Sequence, residues 1–372
     1  MNGRTRIRVP AFAAILALSC LGANGQSIGG PTWNPHTGPP AGAKYVGEKV
    51  CAECHVQEAK NFLKTPMAQA GQLAANAEVL QVYPLLKLKM GPFRYLIVRK
   101  GNQSIYSVTD GKKTISAPIL WAFGKDVGGQ TYILRHGGAY YQSRVSFFKA
   151  LNGLAETYGA PKTPLQTLED AFGERLDKVD AQSCIACHAT GAVVGGVLQA
   201  EIFVPGVSCE ACHGPGARHV AALHEGKPAA PLIFNPARLS PYDLDEFCGS
   251  CHRTWEQIEK AQEFDIRNVR FQPYRLEKSK CWDAMDPRIS CLACHNPHNP
   301  LVEEAGFYDS KCLACHLEKG TAKKADHPDP ACPVATHNCI TCHMPKYDLP
   351  GAHFKFTDHD IRVVRPGAPY PG

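Results

Sequence analysis

Cys209-Glu210-Ala211-Cys212-His213 is one of seven copies of a single pattern, Cys-x-x-Cys-His. The others are Cys51-Ala52-Glu53-Cys54-His55, Cys184-Ile185-Ala186-Cys187-His188, Cys248-Gly249-Ser250-Cys251-His252, Cys291-Leu292-Ala293-Cys294-His295, Cys312-Leu313-Ala314-Cys315-His316 and Cys339-Ile340-Thr341-Cys342-His343. At this composition chance supplies roughly 0.03 copies in the chain, so the repeat is built. A zinc site needs paired Cys-x-x-Cys units closing one tetrahedron. An odd number of units, each trailing its own histidine, does not suit it. The pattern is the attachment signature of haem c: two thiols form thioethers to the porphyrin, and the adjacent histidine ligates its iron. The expectation is seven covalently attached haems. They are anchored by Cys51, Cys54, Cys184, Cys187, Cys209, Cys212, Cys248, Cys251, Cys291, Cys294, Cys312, Cys315, Cys339 and Cys342. They are ligated by His55, His188, His213, His252, His295, His316 and His343.

The compartment follows from the N-terminus. Arg4, Arg6 and Arg8 precede an apolar stretch from Val9 to Leu21. Small residues at Ala23-Asn24-Gly25 suit cleavage before Gln26. Residues 1–25 thus read as a signal peptide, with lipidation at Cys20 as the alternative. No later stretch is long and apolar enough to span a bilayer. Export to the periplasm or beyond suits fourteen haem-binding cysteines. The formal charge of +6 falls to about +3 once three signal-peptide arginines are removed. Haem propionates lower it further, so Lys and Arg are expected to face propionates and solvent, with no nucleic-acid partner.

Along the chain, residues 26–45 are rich in Gly and Pro and predict an extended leader or flexible arm. The first motif stands apart, followed by a short helix from Val56 to Ala70. Strands are expected at 93–100, 103–108, 114–121, 130–135 and 139–146. Turns between them fall at Lys100-Gly101-Asn102, Asp110-Gly111 and His136-Gly137-Gly138. Pro164 to Leu176 reads as an amphipathic helix, and Trp255 to Phe264 as the clearest helix of the last block. From Cys184 to His343 six motifs share 160 residues, too few for one domain each. The predicted fold is mainly α and irregular, with short helices around packed haems plus a small inserted β module. The expected division is 1–25, signal peptide; 26–75, leader and first haem segment; 76–150, β module; 151–372, hexahaem domain.

Spacing gives one axial ligand per iron and leaves the other open. Nine further histidines exist: His36, His136, His219, His224, His298, His327, His337, His353 and His359. His298 follows His295 too closely to wrap round the same porphyrin, and His219 stands similarly to His213. Each is expected to ligate a neighbouring iron. His353 and His359 flank an alternating stretch that predicts an extended strand serving two irons. His337, two residues before Cys339, is a further candidate. His136 in a turn, and His36, His224 and His327, are weaker ones. Met67, twelve residues beyond His55, would give the first haem His/Met ligation and a raised potential; otherwise it is a core methionine. Cys281 and Cys332 remain for a disulfide, a structural thiol or a thiolate beside a haem.

Residues Gly206 to Gly216 with His219, Ser290 to His298, and Cys339 to Pro345 with His353 and His359 resemble the signature segments of the cytochrome c-554 family. The resemblance spans the first motif and residues 180–365. It implies packed haem pairs, histidine-bridged pairing and electron exchange with other redox proteins. Related folds are hydroxylamine oxidoreductase and the pentahaem nitrite reductases. No Cys-x-x-Cys-Lys of the latter occurs here. Seven motifs replace the family prototype's four, and a β insert is added.

The function expected is therefore electron transfer through closely packed haems to and from redox partner proteins. The alternatives are a multihaem oxidoreductase acting on a small nitrogen or sulfur compound at an open axial site, and a subunit of an extracellular cytochrome assembly. A homo-oligomer or larger array is compatible with any of the three.

Overall fold

The computed structural model describes residues 33–36, 42–125, 128–162, 164–194, 197–199, 204–316, 332, 334–365 and 367–372. The expected signal peptide, Cys20 and His327 lie outside them. Helix and strand are mixed, and the fold is not mainly helical. The expected small β module is a large element of the molecule.

Its strands are β1 (Gly71–Leu73), β2 (Leu85–Met90), β3 (Phe93–Lys100), β4 (Gln103–Thr109), β5 (Thr114–Phe123), β6 (Thr131–His136), β7 (Ala139–Ser143), β8 (Val145–Phe148), β9 (Gly153–Glu156) and β10 (Gly173–Leu176). Eight of them form one antiparallel sheet in the order β10-β7-β6-β5-β4-β3-β2, with β1 on β5; β8 and β9 make a separate hairpin. Alternation drives it. Phe93, Tyr95 and Ile97 of β3 and Ser104, Tyr106 and Val108 of β4 point inward while their neighbours face out, as a half-buried strand requires. Gly137 and Gly138, at φ 56 and 81, make the two-residue turn joining His136 to Ala139, where only glycine takes both positive φ values at no cost. The register shifts between Ile119 and Trp121, so β5 turns from β4 toward β6 and β1.

Three expected elements are shorter than predicted. The helix from Val56 ends at Phe62, short of Pro66, which has no N–H to continue it. The helix expected over 164–176 is Leu168–Phe172, opened by a Thr167/Asp170 capping box. Its chain then joins β7 as β10, with Gly173 so close to the Gln142 carbonyl that no Cβ fits. The third helix spans Trp255–Ala261, opened by a Thr254/Gln257 capping box and ended at Gln262 in the left-handed region. The strand expected over 139–146 breaks at Arg144 into β7 and β8.

Among the described residues of the leader, 33–36 and 42–45, the chain is anchored at Trp33. Trp33 is buried, its Nε1 donating to the Ala211 carbonyl at 2.7 Å, and its ring fills the space beside Gly214. The backbone N–H groups of Val46 and Gly47 donate to the Glu210 carboxylate at 2.9 and 2.8 Å. The first motif therefore does not stand apart: the segment leading into it is tied to the third.

Candidate metal centres

All seven motifs begin on helix: Glu48–Cys54, Lys178–His188, Cys209–His213, Pro241–His252, Cys291–Cys294, Asp309–His316 and Cys339–His343. One turn carries the first cysteine over the second, since residues three apart share a face. Numbered along the chain as the first to seventh, the motifs meet in a different order in space. The thiols of Cys51 and Cys209 are close neighbours, as are those of Cys187 and Cys251, Cys248 and Cys291, and Cys312 and Cys339. Cys294 lies within electrostatic reach of Cys312, and Cys212 of Cys248 and Cys251. The path runs first, third, fourth, fifth, sixth, seventh, with the second motif branching from the fourth.

Carboxylates tie successive members of this path. Buried Glu210, inside the third motif, holds the entry to the first through Val46 and Gly47, and also accepts from Gly216 N at 2.8 Å. Asp245 stands three residues before Cys248. It accepts from Trp282 Nε1 and from the Cys291 thiol of the fifth motif, both at 3.0 Å. Burial pushes its carboxyl above the usual range. Asp309 stands three residues before Cys312 and accepts from Asn338 N and Cys339 N, at 2.7 and 2.9 Å. These amides hold its carboxyl below the usual range. Sequence reasoning passed over all three acids. The repeated Asp-x-x-Cys-x-x-Cys-His of the fourth and sixth motifs was the available signal.

The imidazoles fit iron ligation. A ligating histidine donates its second ring N–H to a carbonyl or carboxylate, which leaves the other nitrogen's lone pair for the metal. Here His188 Nδ1 is 2.6 Å from the Ala70 carbonyl, His213 Nδ1 2.9 Å from that of Phe234, and His343 Nδ1 2.9 Å from that of Arg362. Two histidines outside the motifs repeat the arrangement. His219 Nδ1 is 3.0 Å from the Ala229 carbonyl, and His359 Nδ1 3.1 Å from that of Thr357. Burial holds His188, His213 and His295 below the ordinary imidazole range and takes His359 to about 4. The rings are thus kept neutral, the form that binds metal. Two rings about 2 Å from one iron on opposite faces have centroids about 6 Å apart. His213 and His298 stand 5.9 Å apart with planes at 7°, and His295 and His359 stand 6.3 Å apart at 44°.

The remaining candidates fall elsewhere. His353 is exposed at φ 51, just ahead of a strand Phe354–Thr357, and packs on Phe148 at 4.8 Å. His337 is exposed beside Asp309, and His224 is exposed at the end of helix Ala217–His224. His136 packs on Phe172 at 5.4 Å. Met67 is half-buried; its carbonyl accepts from Val207 N at 3.1 Å, in the segment that also receives His188 at Ala70. That segment has crossed from the first motif to the second and third. His36, weakly weighted in the sequence, lies inside the cluster. Its Nε2 is 3.3 Å from Cys251 Sγ and 3.7 Å from Cys187 Sγ. The buried Trp33 anchor explains it, and a tryptophan in a Gly/Pro-rich leader was the signal. Cys281 and Cys332 are both free thiols: Cys281 is half-buried within reach of Cys294, Cys312 and Cys315, while Cys332 is exposed.

The second motif is the one the β sheet covers. Phe123 lies parallel to the His188 ring at 4.8 Å and 10°. Trp121, Phe123 and Ile133 form one apolar cluster with Ile185, Ala189 and Ala192.

Comparison with known proteins agrees with this chemistry. Residues 148–214, which hold the second and third motifs, match the family described as cytochrome c554 and c-prime. The multiheme cytochrome MtrA of Shewanella baltica (strain OS185) is 27% identical over 231 residues, covering 57% of this chain and 59% of that protein. This chain thus spans less than two thirds of the length of that curated relative. No solved structure matches. With its repeated haem-attachment motifs and these two matches, the chain is a multihaem c-type cytochrome.

Proposed function

We propose that the chain is an exported heptahaem cytochrome that passes electrons through its closely packed motifs, to and from redox partner proteins. The observation that carries the reading is the pairing of motif imidazoles with distant ones at 5.9 and 6.3 Å, His213 with His298 and His295 with His359. When bound, haem c supplies a one-electron iron couple whose potential the protein sets through axial ligands, burial and hydrogen bonds. The chain's own residues do the rest. Cysteine pairs fix each group, and the Nδ1 hydrogen bonds fix ring orientation. Glu210, Asp245 and Asp309 fix the spacing between neighbours. His298, adjacent to the fifth motif, pairs with the third, so one short segment ties two sites together. His219 and His36 are proposed as further distal ligands, and the remaining irons draw theirs from His337, His353 and Met67 of the expected set.

The exposed motif cysteines, Cys54 and Cys342, belong to the first and seventh motifs, the two ends of the path, while the imidazoles of His55, His252 and His316 are exposed as well. These ends are where donor and acceptor proteins would approach. Export rests on the basic and apolar N-terminus, and no helix among the described residues is long and apolar enough to cross a membrane.

One observation favours a second reading, a reductase or oxidase of a small nitrogen or sulfur compound. The second motif branches off the path, so its iron is not needed for conduction along it, and the apolar wall of Trp121, Phe123 and Ile133 lies on the side of its own His188. The spin state of the ferric protein, paired with carbon monoxide binding to the reduced form, separates the two. Low-spin iron throughout and no carbon monoxide binding is the result expected of the conduit. A stoichiometric high-spin haem that binds carbon monoxide would replace it with the enzyme.

A further inference from the structure

Arg275 is the largest side chain buried completely. Its Nε and Nη2 donate to the two oxygens of Asp358 at 2.8 and 3.0 Å, and Nη2 also reaches Asp360 at 3.2 Å. Asp358 is equally buried. Arg362 closes the set: its Nη1 donates to Asp358 at 2.6 Å and to the Asp360 carbonyl at 2.7 Å, and its Nη2 to Tyr347 Oη at 2.9 Å. Two guanidiniums and two carboxylates balance. Buried ion pairs are costly to assemble, and breaking one by removing a partner leaves an uncompensated charge. A network of this kind is weak evidence for stability alone, so its position carries the interest.

It encloses two of the proposed iron ligands. His359 lies between Asp358 and Asp360, and its own carbonyl accepts from Ser279 Oγ at 3.0 Å while that hydroxyl takes Ile361 N at 2.7 Å. The Arg362 carbonyl receives His343 Nδ1 at 2.9 Å, and Arg362 N returns to the His343 carbonyl at 3.3 Å. A loop of six residues, 357–362, therefore sets the rotation of both rings. Its two carboxylates are held by Arg275, and its Asp360 carbonyl by the loop's own Arg362.

We propose that the buried Arg275–Asp358–Asp360–Arg362 network is a positioning device that fixes the axial imidazoles of two irons, His359 opposite His295 and His343 in the seventh motif, and sets the local charge they feel. The inference rests on the reading of His359 as an iron ligand. Arg275 acts through the loop and touches no reacting atom. Removing it would leave two buried carboxylates facing one guanidinium. The residual negative charge favours ferric iron, so the potentials of these two haems fall while those elsewhere hold.

The test uses the mature haem-loaded protein. His359→Ala first defines the signal, about one haem equivalent passing from low to high spin in the ferric electron paramagnetic resonance spectrum. Arg275→Met is expected to produce the same high-spin signal in part, and to lower two potentials in a redox titration. Arg275→Lys restores the charge and returns the potentials toward wild type. A role confined to stability would lower the unfolding midpoint and leave spectrum and potentials unchanged; that result in Arg275→Met overturns the proposal. Should Arg275→Met fail to mature, Arg362→Met at the partly open rim carries the same test. A smaller shift in the same direction supports the proposal, and an unchanged spectrum overturns it. If His359→Ala leaves every haem low-spin, the ligand assignment itself falls. That outcome differs from a silent arginine variant beside a positive His359→Ala.

Discussion

Between Gly71 and Leu176 the chain closes a core with its own side chains; between Cys209 and His359 it does not. In the first region a continuous cluster runs from Ala74 through Tyr106 and Tyr132 to Phe172. In the second, the buried apolar cluster among the described residues is three side chains, Ile258, Phe271 and Tyr274. The second region has five motifs, short helices and many prolines. What it has in place of apolar packing is tethering: carboxylates across motifs, imidazoles on carbonyls and a buried ionic network. Large flat apolar groups, covalently attached, would complete such an interior. The difference teaches that the β module packs a core of its own side chains, whereas the motif block is built as a frame around its attachment sites.

The sharpest way to break that contrast is to block haem attachment. In protein made without it, amides of 71–176 should keep their protection in hydrogen exchange, while those of 204–365 exchange freely, the largest effect expected. Equal protection in both regions would erase the distinction. Next in size is Phe172→Ala. This ring is 1% exposed and packs on Tyr106 and Tyr141 at 5.4 and 5.3 Å. Its loss should cost about 3–5 kcal/mol in the β module, read by denaturant unfolding, with haem spectra unchanged. In the motif block, Thr254→Ala removes the Gln257 N–H to Thr254 Oγ1 bond of the cap on Trp255–Ala261, leaving the residue 254 N–H on Gln257 Oε1, and should cost about 1 kcal/mol, since local ties substitute for a core there.

The smallest effect is a pH dependence. Burial, reinforced by Asp245 and Glu246, raises Glu277 from 4.5 to about 7. Its carboxyl thus binds a proton in the folded state that the unfolded chain has released. Stability is then lost as pH rises from the unfolded value toward the folded one. Glu277→Gln should flatten that slope between about pH 5 and pH 7, measured as the denaturation midpoint. A wild-type slope retained in the variant would assign it to another group.

How legible each region was follows from the range of its interactions. The haem motifs were plain because their chemistry is local and covalent. Five strands and their glycine turns were plain because alternation and positive φ are also local. β1, β2, β9 and β10 were missed: Leu86-Lys87-Leu88-Lys89-Met90 alternates between Pro84 and Gly91-Pro92, a strand signal that was passed over, and Gly173–Leu176 becomes a strand only because β7 offers an edge. Within the expected leader, Trp33 is held by the Ala211 carbonyl, 178 residues away in sequence, which no local pattern reveals. Pairing of His213 with His298 was legible only as an exclusion, that a histidine three residues from its anchor must look elsewhere. Arg275, from a helix lacking any motif, had no signal at all.

The central claim is that every motif carries a haem. Intact-mass measurement of the mature protein, followed by peptide mapping of the attached groups, tests it most directly. Seven haem additions, one on each Cys-x-x-Cys-His peptide from Cys51 to Cys342, is the result predicted. A mature protein with fewer than seven, or with a motif whose two thiols stay free, would contradict it.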